Sequence, residues 1–476
     1  MGQEVIEEAF TVRHHTVFRE RLRDETKHLK RWFDERRFAA DSNHSVGIEL
    51  EAWLVDADHM PTPQNASFIA ACGDERVVPE LSRFNFELNV APQVLQGRCL
   101  TGMHDELRSL WTQCDSTARQ LSILPVAIGT LPTIRDDMLQ PDWMSDSARY
   151  RALGQELMRL RGEKPLHVRI EGDDILDLHC NHIMLEAACT SLQVHLQVNQ
   201  DDAVDCYNAA ILGAAPLLAA ATNSPFLYGR SLWAETRIPA FEQATAAHGF
   251  RDAHGNEVLR VTLGSGYLRK SMFELFLENL AYPALLPSLD ENCDRLGHLR
   301  LHNGTIWRWN RPIIGYGADG QAHLRIEHRV MPAGPSVDDT MANVAFCCGL
   351  TLAIADDETP AEQLATFEQA RQNFYRCARF GLEAEVIWRG STTRVQQLLH
   401  GFLLPAAREA LARRDIARSD LDYYFDDILL PRILSGRTGS TWQRAFRHTQ
   451  AASFQALTER YVHWQRSGVP VHTWTI

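Results

Sequence analysis

Residues 46–56 read VGIELEAWLVD. Ile48, Leu50 and Ala52 are apolar, and Glu49, Glu51 and Trp53 stand between them. Side chains alternate across a β-strand, so this period puts two glutamates on one face and the aliphatic residues on the other. Strands of a parallel sheet are apolar on both faces, whereas an antiparallel strand commonly keeps one face wet. The stretch therefore predicts an antiparallel sheet with one polar face, and that face is where chemistry is to be sought. Two neighbouring carboxylates repel each other. A hard divalent cation such as Mg²⁺, which prefers oxygen ligands, would relieve them; an ordinary solvated strand face is the alternative.

Three further stretches repeat the pattern. In RFNFELNVAP (83–92), Phe84, Phe86 and Leu88 oppose Asn85, Glu87 and Asn89. In SLQVHLQVNQ (191–200), Gln193, His195, Gln197 and Asn199 form an uncharged polar row. A merely solvated face would favour Lys, Glu and Thr, so this row fits a wet ligand cavity or an amide ladder at an interface. In HLRIEHRVMPAGP (323–335), Arg325, Glu327 and Arg329 alternate. Two guanidiniums around one carboxylate make either a cross-strand ion-pair set or a phosphate clamp beside a metal ligand. Each stretch alone says little; four together argue for one site.

The remaining sequence sets bounds. The chain has 476 residues, 45% hydrophobic and 23% charged, which is ordinary globular composition. Its net charge of -13 disfavours a bulk nucleic-acid binder. Ten scattered cysteines without a CxxC pair make no disulfide scaffold, and a reducing cytoplasm is the expected home. MGQEVIEEAF lacks the basic and apolar regions of a secretory signal, and no run of uncharged apolar residues long enough to span a bilayer is apparent.

Residues 1–40 read as a helical segment, 41–335 as the catalytic core and 336–476 as a mainly helical part packed on it. Helices are expected over 105–121 and 201–221, a strand over Trp307–Arg311, and almost only helix after Asp338, punctuated by Pro405 and Pro431. His179-Cys180-Asn181-His182 looks like a zinc fragment but lacks a second ligand pair. His14 and His15 read as solvated, Cys347 and Cys348 as core thiols, and Asp420, Asp422, Asp426 and Asp427 as a helix face.

The strand motifs, with ATNSPFLYGRSLWAETRIPAF (221–241) and WRWNRP (307–312), resemble the glutamate–cysteine ligases of the second type and their carboxylate–amine ligase relatives. The resemblance implies an α+β, glutamine-synthetase-like fold: a curved antiparallel sheet of about six strands, polar on its concave face and backed by helices. It implies ATP and Mg²⁺, with Mn²⁺ as an alternative. Glutamate's side-chain carboxylate would be phosphorylated, and an amine such as cysteine would displace phosphate. Glu49, Glu51, Glu87, Gln193 and Glu327 would be metal ligands. His195, Arg325 and Arg329 would serve the nucleotide, with Arg329 facing the γ-phosphate. Arg237, Asn223 and Trp307 would hold substrate, and Arg237 and Arg329 would act in catalysis. Gln193 stands where many members have His, and Arg325 where Thr is usual. His302–Thr305 or the Gly264-Ser265-Gly266 turn would cover the site. A guanidino kinase and a non-catalytic relative are the competing readings. Neither nucleic acid nor membrane is an expected partner, and the oligomeric state stays open.

Overall fold

The structure is a computed structural model and describes residues 5, 7–40, 44–247 and 259–476. Its strands are β1 (Ser45–Val55), β2 (Val77–Pro79), β3 (Asn85–Val94), β4 (Leu124–Val126), β5 (Leu166–Glu171), β6 (Ile175–Cys180), β7 (Ser191–Val198), the short pair β8 (Phe226–Leu227) and β9 (Arg230–Ser231), β10 (Asn310–Tyr316), β11 (Ala322–Pro332), β12 (Glu385–Trp388) and β13 (Ser391–Arg394). One antiparallel sheet runs β10-β11-β7-β1-β3-β2, with β4 beside β1. It curls into a half-barrel. The four alternating stretches are β1, β3, β7 and β11, the four central strands of that order.

The apolar face of the sheet (Ile48, Leu50, Leu88, Val194, Leu196, Ile326) is buried. The Ala/Leu-rich helix Ala203–Ala221 packs against β11, and helix Val337–Ala355 against both that helix and β7. Both are long and apolar enough to cross a membrane, yet 89% of each apolar window is buried inside the protein. A helix that is apolar all round is either a core helix or a membrane span, and here the sheet and its helices cover it. Gly349 lets helix Leu404–Ala412 approach closely: a Cβ there would lie 2.7 Å from the Ala407 carbonyl oxygen.

Helices form at Val12–Asp34 and Cys99–Gln120, near the predicted spans; residues 1–4 and 6 of the expected N-terminal segment lie outside the described residues. The expected strand at Trp307 starts at Asn310 instead. Trp309 is fully buried against Phe241 and Phe374, and its N–H donates to the Thr262 carbonyl rather than to a strand partner. The C-terminal part also holds a β-hairpin, β12–β13, inside a stretch expected to be helical. Its turn places both Arg389 and Gly390 at positive φ, 49° and 74°, the geometry a tight hairpin requires.

Pro405 and Pro431 do not end their helices. Each follows a π-helical stretch, Leu399–Leu403 and Asp422–Leu429, and stands at the start of the α-helix that continues it. Proline has no N–H and its ring clashes with the carbonyl four residues back, so a widened turn ahead of it lets the chain stay helical.

Asp420 is likewise not a solvated helix face. It is buried and accepts from the Thr101 N–H (3.0 Å) and hydroxyl (2.7 Å), capping helix Cys99–Gln120 across a separation of 319 residues. Arg432, also buried, pairs with Asp339 at 2.7 Å. Gln465 donates to the carbonyls of Ala127 (2.8 Å) and Pro335 (2.6 Å). Residues after 336 thus supply bonds that the sheet's own loops lack.

Candidate active site

Strand register assembles the polar face into rows. Arg311 lies opposite Glu327, Glu327 opposite His195, and His195 opposite Gly47. Gln193, Glu49 and Asn89 form the next row, and Glu51 and Glu87 the one beyond. The face floors a cavity of about 310 Å³ lined by Glu49, Glu51, Glu87, Gln193, His195 and Glu327. Arg325, Arg329 and Trp307 line it too. Its walls add residues that the strand pattern missed: Glu80 just after β2, Arg149 on helix Ala148–Leu160, Glu186 on the 3₁₀ turn Met184–Ala188, and Arg300 and Arg311. Asn303 and Gly304 also line it, but that segment is a fixed wall: His302 and Asn303 are tied to the backbone at Asn279 and Pro312. The Gly264-Ser265-Gly266 turn does not line the cavity.

Charge is graded across the sheet. On the β10–β11 side, Arg311 grips Glu327 with two bonds of 2.7 and 2.8 Å, and Arg329 reaches the same carboxylate at 3.2 Å. Burial pushes Glu327 up, but Arg311, Arg329 and His195 outweigh it and hold the carboxyl well below its ordinary range. Glu49 behaves alike: burial raises it, and His195, at 3.2 Å, draws it down to about 2.

The β3–β2 side is the reverse. Glu87 is pushed up to about 8 by burial and the charges of Glu49 and Glu51. Glu80 is raised by burial and by Glu87 and Glu51. Glu51 is raised by burial despite Arg329 and the Ser191 N–H, which donates to it at 2.7 Å. Glu186 is pushed up to about 8 by burial and Glu51.

Two donor sets could hold a cation. Oxygens of Glu51, Glu80 and Glu87 lie within 4.8 Å of one another, as do donor atoms of Glu49, His195 and Glu327. The first set is three crowded carboxylates whose repulsion a hard divalent cation would relieve, and it fits Mg²⁺. In the second, arginines already neutralise Glu327. Gln193 bridges the two: its oxygen accepts from Arg329 (2.7 Å) and its amide donates to Glu51 (2.8 Å). The oxygen that a metal would need is therefore engaged by Arg329.

Arg237 and Asn223 do not line the cavity. β11 has an irregular register between His328 and Met331, where the chain takes one residue more than β7. Such a bulge re-aims the local side chains, and here it contains Arg329. Arg237 is buried behind it and donates to the carbonyls of both Arg329 (3.3 Å) and Val330. Its charge is met by Glu235 at 3.3 Å and by the Trp309 ring, 5.3 Å from the guanidinium. Asn223 is equally engaged, donating to the Ala333 carbonyl and to the Tyr461 hydroxyl (both 2.8 Å) and accepting from Gln443 at 3.0 Å. Both residues brace the scaffold, and neither lines the cavity. Arg237→Met should accordingly cost about 3–5 kcal/mol, because it strands the buried Glu235 charge. Urea unfolding measures this; unchanged stability with a raised KM for the carboxylate substrate would return Arg237 to substrate binding.

Residues 45–460 match the family model described as glutamate-cysteine ligase family 2. No curated protein matches the chain. Among solved structures, glutamate–cysteine ligase from Francisella tularensis in complex with AMP is similar at a TM-score of 0.55 and 12% identity, with 90% of each chain covered. A bifunctional glutathione synthetase from Pasteurella multocida aligns at 0.49 and 14% identity over 93% of this chain and 54% of that one.

Proposed function

This chain belongs to glutamate–cysteine ligase family 2 and is an ATP-dependent carbon–nitrogen ligase, and from that premise we propose that it joins glutamate to an amine through a γ-glutamyl phosphate. The observation that carries the reading is the charge gradient across one sheet face, from Arg311 and Arg329 to Glu51, Glu80 and Glu87. Phosphoryl transfer needs positioning and charge neutralisation more than a covalent nucleophile. Arg329, braced by Glu327 and Gln193, offers a planar guanidinium to the γ-phosphate. Arg325, four residues away on the same strand and without a carboxylate within ion-pair distance among the described residues, lines the same cavity and would serve the other phosphates. Mg²⁺ held by Glu51, Glu80 and Glu87 would neutralise charge on the moving phosphoryl group. Glu186, with its raised affinity for a proton, suits the end of the cavity where a cationic amine arrives and gives up a proton. The arginine-lined walls shield an acyl phosphate from bulk water.

Ten free cysteines fit a reducing compartment, and the cytoplasm is the proposed location. The family match argues against the guanidino-kinase reading, since that class transfers phosphate and forms no amide.

Isotope transfer tests the chemistry. Glutamate carrying ¹⁸O in its side-chain carboxylate is expected to pass one labelled oxygen to inorganic phosphate when an amine is supplied. Label recovered in AMP, or none in phosphate, would rule out the acyl phosphate. Running a panel of amines and reading product mass then identifies the acceptor.

A further inference from the structure

We propose that the outer face of the β5–β6 hairpin binds one divalent transition-metal ion through His167, Asp177 and His179. The sequence contains a zinc-like fragment, His179-Cys180-Asn181-His182, that lacked a second ligand pair. The fold supplies the missing imidazole from the neighbouring strand. His167 lies directly opposite His179 in the ladder, and Asp177 stands opposite Arg169, two residues along. All three project from the exposed face of the hairpin, while Leu166, Val168, Ile170 and Leu176 on the other face are buried and anchor it.

The donor geometry is compact. The two imidazole rings lie parallel, 6° apart in plane, with centroids 4.5 Å apart. His167 Nε2 is 2.9 Å from Asp177 Oδ1. Ligand atoms of the three side chains all lie within 4.8 Å of one another. Arg169 donates to Asp177 Oδ2 at 2.7 Å, which fixes the carboxylate and leaves Oδ1 turned toward the histidines. Two imidazoles and one carboxylate in a strand pair match the ligand types that favour Zn²⁺, Ni²⁺ or Cu²⁺, and differ from the all-carboxylate set in the cavity, which favours Mg²⁺. Three protein ligands leave the fourth tetrahedral position to water, so the site is open. Cys180 faces the other side of the strand, and His182 lies beyond its end; neither belongs to the set.

The test uses Zn²⁺ itself. Equilibrium dialysis of the full chain against Zn²⁺ in excess Mg²⁺, which occupies the cavity carboxylates, is expected to retain one Zn²⁺ per chain. His167→Asn and His179→Asn should each weaken retention by at least the ~10–100-fold that loss of an outer partner of a ligand costs, and Asp177→Asn should weaken it as well. Glu87→Gln should leave it unchanged. All three ligands are exposed, so circular dichroism should show the variants folded. Wild-type protein that retains no Zn²⁺, or retention equal in the two histidine variants and the wild type, would overturn the site. Loss on Glu87→Gln instead would place the Zn²⁺ in the cavity and overturn it equally.

Discussion

A Glu87→Gln enzyme is expected to lose turnover by about 100-fold or more and yet to be the more stable protein when divalent cations are withheld. Glu87 holds its proton up to about 8, against an ordinary 4.5, because burial and the charges of Glu49 and Glu51 penalise the anion. A carboxyl whose folded pKa lies above its unfolded value binds the extra proton in the native state. Its native form is therefore unpenalised below about pH 4.5 and loses stability as the pH rises through about 8. Glutamine has no proton to lose. In EDTA, wild type should weaken relative to the variant by on the order of 4 kcal/mol between about pH 5 and about pH 9. Mg²⁺ should restore wild type much more than the variant, since it binds the anions that destabilise the metal-free fold. Thermal midpoints at the two pH values, with and without Mg²⁺, measure this. Equal turnover of the two proteins at saturating Mg²⁺ would remove Glu87 from the site.

Arg329→Lys is expected to cut turnover by about 100–1000-fold with little change in the fold. Arg329 Nη1 contacts Glu327 and Gln193 together, and the rest of the planar fork remains for phosphate. A lysine ammonium is a single point charge on a flexible stem and cannot hold both neighbours and the phosphate at once. The loss should fall on turnover more than on KM for ATP, because the contact is needed most as charge builds on the transferred group. A variant with a wild-type circular dichroism spectrum and wild-type turnover would deny Arg329 that role.

What was legible in the sequence was whatever a two-residue period records. Glu49, Glu51, Glu87, Gln193, His195, Arg325, Glu327 and Arg329 share a face because each sits in step with aliphatic neighbours, and the structure brings them to one cavity. Glu80 follows Pro79 in a loop, and Glu186 lies on a single 3₁₀ turn, so no period marked either one. Arg311 stands within WRWNRP, and its place opposite Glu327 follows only from the register of β10 on β11. Arg237 and Asn223 lie outside the cavity for a different reason. A buried polar side chain must find partners, and in a motif a brace for main-chain carbonyls looks the same as a ligand for substrate. The hairpin β12–β13 and the turns before Pro405 and Pro431 escaped notice because local apolar spacing there is helical on either side.

The bonds that Gln465 and Tyr461 make to the Ala127 carbonyl have a bearing on how the protein is born. A nascent chain leaves the ribosome with β1, β3, β7 and β11 made long before helix Phe454–Ser467 emerges. Until then the Ala127 and Pro335 carbonyls lack their Gln465 partner, and the fully buried Trp474 has not yet filled its place against Trp442 and Tyr461. The catalytic sheet is thus fully synthesised by Pro332 and among the last parts to be sealed. Ribosome-arrested chains that stop before Phe454 should stay open to protease attack across the sheet, and release of helix Phe454–Ser467 should close that window in a single step.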